Sequence, residues 1–344
     1  MTAVSVAAVV AGRRARMRRH AVATGALAVA IVVVFALSLM IGNTFYGPIE
    51  VARVILGETV PGASFTVGEL RLPRAVMGLL AGFAFGIAGV TFQTMLRNPL
   101  ASPDIIGISS GASAAAVFGI IVLAVDETTV SLLALGGAIL TAVAIYLLAH
   151  RGGFAGTRLI LIGIGVAAML DSVVTYVLSK APAWDLQAAM RWLTGSLNSA
   201  NWESTAPLLL ASIVFVPLLL AQGRPLGVLR LGDDSAAGLG VAVRGTRVLA
   251  ILAAVALLAF ATAASGPIAF VAFMAGPIAA RIIGPGASLL LPSAFVGALL
   301  VLLADLVGQF AFGNRYPVGV ITGVLGAPYL IYLLVRMNRS GGSL

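Results

Sequence analysis

Cysteine is absent from the 344 residues, lysine occurs once (Lys180) and histidine twice (His20, His150). The missing thiols exclude disulfides, thiolate metal sites and thiol nucleophiles. Two histidines leave almost nothing for an imidazole-based metal centre. Charge is scarce as well: 10% of residues are Asp, Glu, Lys or Arg, against about 25% in a soluble chain. No phosphate-binding loop is present, because Lys180 follows Val177-Leu178-Ser179 and not a glycine-rich turn. What fills the space is apolar. Sixty per cent of residues are hydrophobic and the mean hydropathy is +1.09, more than a water-soluble surface could hide. A soluble enzyme is excluded. A transmembrane β-barrel is disfavoured because the apolar residues come in long runs and do not alternate. The remaining class is an all-α, polytopic integral membrane protein, since only helices satisfy their own backbone in lipid.

About 20 apolar residues cross a bilayer. On that measure the sequence predicts ten spans: 21–42, 73–95, 103–124, 130–149, 157–179, 205–222, 246–264, 267–283, 289–311 and 317–336. The eighth is broken by Gly266-Pro267 and Gly276-Pro277. The first follows Arg13, Arg14, Arg16, Arg18 and Arg19. Its apolar stretch is too long for a signal peptide and lacks a convincing cleavage site. With the N-terminus inside, 15 of the 21 basic residues fall on cytoplasmic segments; this is a positive-inside bias that places both termini in the cytoplasm. The net charge of +9 therefore reports topology and not a nucleic-acid partner. The expected organisation is a basic tail over 1–20, one transmembrane domain over 21–338 and a C-terminal tail over 339–344. Spans 2–5 and 7–10 share a rhythm that suggests an inverted repeat.

Two carboxylates lie inside spans, Asp171 and Asp305. Intramembrane acids are expensive and mark functional sites by default. A proton relay is one reading; hydrogen bonding within the bundle is the other, with Ser172 and Thr175 beside Asp171. Neither acid has a buried basic neighbour in sequence. The inner segment Arg97-Asn98-Pro99-Leu100-Ala101-Ser102-Pro103 carries two prolines that stop a helix and set a rigid turn. The inner stretch from Leu229 to Val241 is polar enough to leave the membrane. It nonetheless has Leu231, Ala236, Leu239 and Val241 at roughly helical spacing, and Asp233 and Asp234 suit the first turn of a short helix. Such a helix could lie on the inner leaflet, but adjacent acids would meet anionic lipid there. A partner-docking element over about 228–243 fits better.

Several segments in this order resemble the FecCD/BtuC-type permeases of bacterial ABC importers for iron-siderophores and vitamin B12. They are Leu70-Arg71-Leu72-Pro73-Arg74, Gly89 to Ala101 with Gln93 and Asn98-Pro99-Leu100, Trp192-Leu193-Thr194-Gly195-Ser196, and Leu231 to Val241. Gly266-Pro267-Ile268-Ala269-Phe270-Val271, Ala304-Asp305, and Pro317-Val318-Gly319 with Gly326-Ala327-Pro328 complete the set. The resemblance implies two permeases of ten helices each around one path, two ATPase subunits below, and a substrate-binding protein outside. It implies no cofactor on this chain, with ATP and Mg²⁺ held by the partner ATPase. Leu231, Gly232, Asp233, Asp234, Ala236, Leu239 and Gly240 would then belong to a cytoplasmic coupling helix pair. Asn98 and Leu100 would form one layer of a cytoplasmic gate, and Ala155, Gly156 and Thr157 the other. Arg71 and Arg74, with Arg315, would meet acidic residues of the binding protein.

Two departures from that pattern sharpen the expectation. Phe270-Val271 is followed by no Pro-His pair, and Gln309 stands where many members carry an arginine four residues after the Asp of span 9. Both are more like the second permease of a heterodimeric ferric-siderophore system, in the inner membrane of a bacterium. A vitamin B12 or haem permease of the same family is the alternative within the class. Outside it, the rival is a proton-coupled secondary transporter using Asp171 and Asp305. An integral-membrane enzyme fails for want of reactive groups.

Overall fold

The computed structural model describes the backbone of residues 6–104, 106–149, 156–284 and 288–339, and side chains within 10–336 of those ranges except at 156. The described residues form helices and connecting turns, with no strand among them. In chain order the helices are α1 (Val6–Met40), α2 (Pro48–Ile55), α3 (Leu72–Leu96), α4 (Ile108–Phe118) and α5 (Glu127–Ala149). They continue as α6 (Gly156–Ser179), α7 (Ala183–Leu193), α8 (Trp202–Ala221), α9 (Gly223–Leu229), α10 (Asp233–Gly238) and α11 (Val243–Ser265). The last three are α12 (Val271–Ile283), α13 (Leu290–Phe310) and α14 (Val318–Arg339). Wider π-helical turns lead into α3 at Ser64–Arg71 and extend α4 at Gly119–Leu123.

Eight helices are long and apolar enough to cross a membrane; the α4 region and α12 are shorter apolar helices. Together they account for the ten expected spans. The shortness of α12, at 13 residues, has a local cause. Gly266 takes a positive φ, Pro267 follows, and Phe270 caps the helix from the left-handed region. Irregular backbone of this kind is tolerated at membrane depth only where protein covers it, and Ile268 and Val271 are buried. At the other end, the stretch expected as an N-terminal tail continues the first span as helix. From Val6 onward the chain is already helix, and α1 runs unbroken through the arginine cluster. No proline interrupts it, and Ala, Arg and Met are strong helix formers. Thirty-five residues span about 50 Å, so the arginine-bearing turns project beyond a hydrocarbon layer about 30 Å thick.

The centre of the bundle is α3, which packs on α13, α11, α12, α8 and α1. Its large side chains Met77, Phe85, Ile87 and Phe92 are fully buried. One flank carries almost no side chain. A Cβ at Gly82 or Gly86 would collide with the Gly297 or Ser293 carbonyl of α13, and one at Gly89 with the Ala272 carbonyl of α12. Such backbone-to-backbone approach is how helices gain van der Waals contact where lipid offers no hydrophobic drive.

A second close junction lies on the outer side. Ser196 N–H donates to the Ser265 carbonyl at 2.8 Å and Gly319 N–H to the Gly195 carbonyl at 3.1 Å. Added Cβ atoms at Gly195, Gly266 and Gly319 would each strike backbone of a neighbouring segment. Three separated motifs, at 194–196, 266–271 and 317–319, therefore meet at one place. By contrast α6 and α14 leave most of their length uncovered by the rest of the chain.

Gly86→Val should force α3 from α13 and destabilise the fold, since overpacking alone costs about 1–3 kcal/mol before any backbone shift. Gly136→Val, where an added Cβ meets open space, should be tolerated. Melting temperatures of the two variants in detergent check this.

Candidate functional site

The chemistry-bearing side chains gather at two ends of the bundle. At the end expected to be cytoplasmic, α9 and α10 form the expected short helix pair, and Asp233 and Asp234 open α10. Leu226, Leu229 and Ala236 are buried and fix the pair to the bundle. Leu231 and Leu239, each 65% exposed, flank α10 and point away from the protein. Asp234 and Gly240 are exposed with them, while Gly232 and Asp233 are half covered. Ala236 is a correction. At 0% exposure it packs on its own chain and cannot be a contact surface. The helix begins only at Asp233, so Leu231 lies outside its periodicity and the spacing 231–236–239 does not define one face.

Asp233 is held from two sides. Arg247 of α11 grips it with a two-pronged fork, NH1 to Oδ2 and NH2 to Oδ1, both at 2.7 Å. Arg97, from the end of α3, donates NH2 to Oδ1 at 2.5 Å and Nε to the Leu229 carbonyl at 3.1 Å. The hydrogen bond from Arg247, with the charges of Arg247 and Arg97, holds the Asp233 carboxyl below its usual value despite some desolvation. Arg97 itself sits in the left-handed region, φ 52° and ψ 31°, as the cap of α3. A non-glycine residue there costs about 1–3 kcal/mol and persists only where its surroundings impose it.

The loop that follows Arg97 is ordered by its own side chains. Asn98 Oδ1 accepts the Leu100 N–H at 2.9 Å, and the Asn98 carbonyl accepts the Ala101 N–H at 3.1 Å. Asp104 accepts from Ser109 Oγ at 2.7 Å and lies beside Ser102. Of the second expected gate layer, Ala155 lies outside the described residues; Gly156 opens α6 and Thr157 is exposed. An inner cleft of about 390 Å³ is lined by Gln93, Arg97, Asn98, Pro99, Arg230 and Pro277, among others.

On the outer side the two arginines of the Leu-Pro motif turn toward their own chain. Arg71 donates to the Leu39, Met40 and Thr44 carbonyls at 2.9, 3.0 and 2.6 Å, and lies over the Tyr46 ring. Arg74 donates Nε and NH2 to the two oxygens of Asp305 at 2.9 and 2.8 Å. Gln309 adds a third hydrogen bond to that carboxylate at 2.7 Å. This corrects two expectations. Asp305 does have a buried basic partner, and both guanidiniums are engaged within the chain and not held out for a docking protein. Arg315 is exposed.

Asp171 differs. Thr175 Oγ1 and Ser172 Oγ bond to the Asp171 and Ala168 carbonyls, not to the Asp171 carboxylate. The residue is exposed on the least covered span, in line with Ile164, Ala168 and Thr175. A carboxylate at that depth does not face lipid; the stripe needs a partner or water against it. A proton relay from Asp171 to Asp305 has no support in this geometry, because Asp305 is locked in its ion pair.

An outer cleft of about 490 Å³ is lined by Glu127, Trp184, Arg191, Trp192, Asn198 and neighbouring residues of α5, α7 and α11. Sequence reasoning did not single out Arg97, Arg247 or Gln309 as carriers of structure. Only the position of Arg97 beside Asn98-Pro99 offered a signal.

The Arg74–Asp305 pair makes a direct test. Asp305→Ala strands a buried guanidinium and should cost about 3–5 kcal/mol, whereas Arg74→Met with Asp305→Leu should be close to neutral. Thermal melting of the purified single and double variants reads the difference.

Comparison with known proteins is consistent across sequence and structure. The model of the FecCD transport family matches residues 30–336. The ferric enterobactin transport system permease protein of Escherichia coli is 42% identical over 294 residues, covering 84% of this chain and 88% of its own length. The achromobactin transport system permease protein of Dickeya dadantii is 40% identical, with 92% of each chain covered. The iron(3+)-hydroxamate import system permease protein of Bacillus subtilis is 38% identical, over 90% of this chain and 95% of its own. Among solved structures, a metal-chelate type ABC transporter in an inward-facing conformation superposes with a TM-score of 0.81 at 25% identity, over 91% of this chain and 98% of that one.

Proposed function

The chain belongs to the FecCD transport family, and from that premise we propose that it is the membrane-spanning permease subunit of an ATP-driven importer of ferric siderophores. The observation that carries the coupling to ATP is the α9–α10 pair. Leu231 and Leu239 stand exposed on either side of a short helix that Ala236 anchors in the bundle, and such a patch on the cytoplasmic face needs an occupant. A groove on an ATPase subunit supplies one. Nucleotide and Mg²⁺ belong to that partner, for this chain has no phosphate-binding loop.

The cargo path runs between this permease and a second one, along the uncovered face of α6 that includes Asp171. Bulky iron chelates need a wide, weakly binding conduit, and such a lining lets a bound molecule leave. The departures at Gln309 and after Val271 favour a second permease that is a distinct chain. An extracytoplasmic binding protein docks on the outer face, where Arg315 is available and Lys180 and Arg191 are also exposed. Arg71 and Arg74 support that face from beneath. Both termini lie in the cytoplasm, as the positive-inside bias requires.

Leu231→Arg with Leu239→Arg should leave the permease inserted and folded but abolish copurification of the ATPase. Undiminished copurification would remove the docking assignment. In reconstituted vesicles uptake should stop without ATP, while Asp171→Asn retains most of it. Uptake driven by a proton gradient alone, and lost in Asp171→Asn, would instead establish a secondary transporter.

A further inference from the structure

One carboxylate joins three parts of the cytoplasmic end. Asp233 opens α10, takes the fork of Arg247 from α11, and takes Arg97 from the end of α3. Arg97 also reaches the Leu229 carbonyl, the last residue of α9. Both helices of the pair are therefore tied to the residue directly before Asn98-Pro99-Leu100. The Arg247 guanidinium is the most enclosed member, at 11% exposure, and anchors the cluster to the buried helix α11. The left-handed backbone of Arg97 sets the direction in which the 98–101 loop leaves α3. Any displacement of α10 thus acts on that loop through a side chain of fixed geometry, and not through the intervening length of chain.

We propose that Arg97 and Asp233 are positioning residues of the transport cycle, a charged link through which movement of the docked α9–α10 pair sets the conformation of the 98–101 loop. The proposal rests on the ATPase-docking reading above. It adds a route. A general surface salt bridge contributes little, and its loss would pass unnoticed. This one is two-pronged on the Arg247 side and shared with a backbone carbonyl on the Arg97 side, so its function is directional. Arg97 lines the inner cleft, which places the link at the wall of the space the loop borders.

The test uses the complete importer in proteoliposomes, with its second permease, ATPase and binding protein, loaded with a ferric siderophore. The readout is cargo taken up per ATP hydrolysed. Arg97→Met should keep the ATPase bound and hydrolysing within about twofold of the parent rate, while uptake per ATP falls at least about tenfold (1.4 kcal/mol per factor of ten). Arg97→Lys, which keeps the charge but cannot hold both Asp233 and the Leu229 carbonyl, should recover part of the ratio. Asp233→Asn should lower it too, and Arg97→Met with Asp233→Asn should be no worse than the poorer single variant, because both break one link. An unchanged ratio in Arg97→Met, or additive losses in the double variant, would overturn the proposal. A Leu231→Arg, Leu239→Arg permease that still holds its ATPase would overturn the docking reading instead, so the two failures are distinct. Should Arg97→Met reduce the folded amount, a spin label on Leu100→Cys, the single thiol in an otherwise cysteine-free chain, decides the matter. Its mobility should change on vanadate trapping of the ATPase in the parent and stay fixed in Asp233→Asn. A change of equal size in both overturns the link.

Discussion

The fold depends on how closely α3 approaches its neighbours. Gly82, Gly86 and Gly89 strip one flank of a central helix so that backbone meets the backbone of α13 and α12. In water a stripped flank would sacrifice hydrophobic burial. In lipid that sacrifice is small, because the alternative environment is equally apolar, and dispersion between closely packed atoms decides the association. With α3 seated, Phe85 and Phe92 are fully buried in the core that α3 shares with its neighbours. Among the described residues α6 is the least covered span, followed by α1 and then by α8 and α14. A bundle built around one tightly held helix thus has a close-packed interior and open sides.

Charge within this bundle appears as pairs at its two rims. Arg74 with Asp305 and Gln309 closes the outer ends of α3 and α13; Arg97 and Arg247 with Asp233 close the inner ends of α3 and α11 against α10. The two sets differ in enclosure. At the outer rim the carboxylate is almost fully covered, with 7% of its side chain exposed, so the pair resists any separation of its helices. At the inner rim Asp233 is 44% exposed, and it is the enclosed Arg247, 11% exposed, that fixes it to α11. The outer pair is thus shielded on both sides, and the inner cluster on one.

Much of this architecture is legible in the chain. Long apolar runs marked the ten spans, and two acids followed by small residues marked α10. The motifs at 194–196, 266–271 and 317–319 were visible as segments, but their meeting at one outer junction was not. What stayed hidden shares one property: it depends on distant partners. Arg74 and Asp305 are 231 residues apart, and Arg97 and Asp233 are 136 apart, so no local spacing reveals either pair. The reading of Arg71 and Arg74 as outward cations took exposure from position at a span end. An arginine there can equally reach back to carbonyls its neighbours leave unpaired, as Arg71 does at the end of α1. Ala236 was misjudged for a related reason. A six-residue helix is too short for periodicity to define its face.

Asp171 stands apart from every other acid described, and its placement follows from elimination of environments. It has no arginine drawn to it across the bundle, as Asp305 has, and no loop hydroxyls folded onto its carboxylate, as Asp104 has in Ser102 and Ser109. Lipid would penalise it, and the covered core is not where it lies. A surface that carries water satisfies the remaining requirement, and Ala168 and Thr175, on the same line of α6, leave room for it beside the carboxylate. The enclosed acid, Asp305, is by contrast the one that ties α13 to α3.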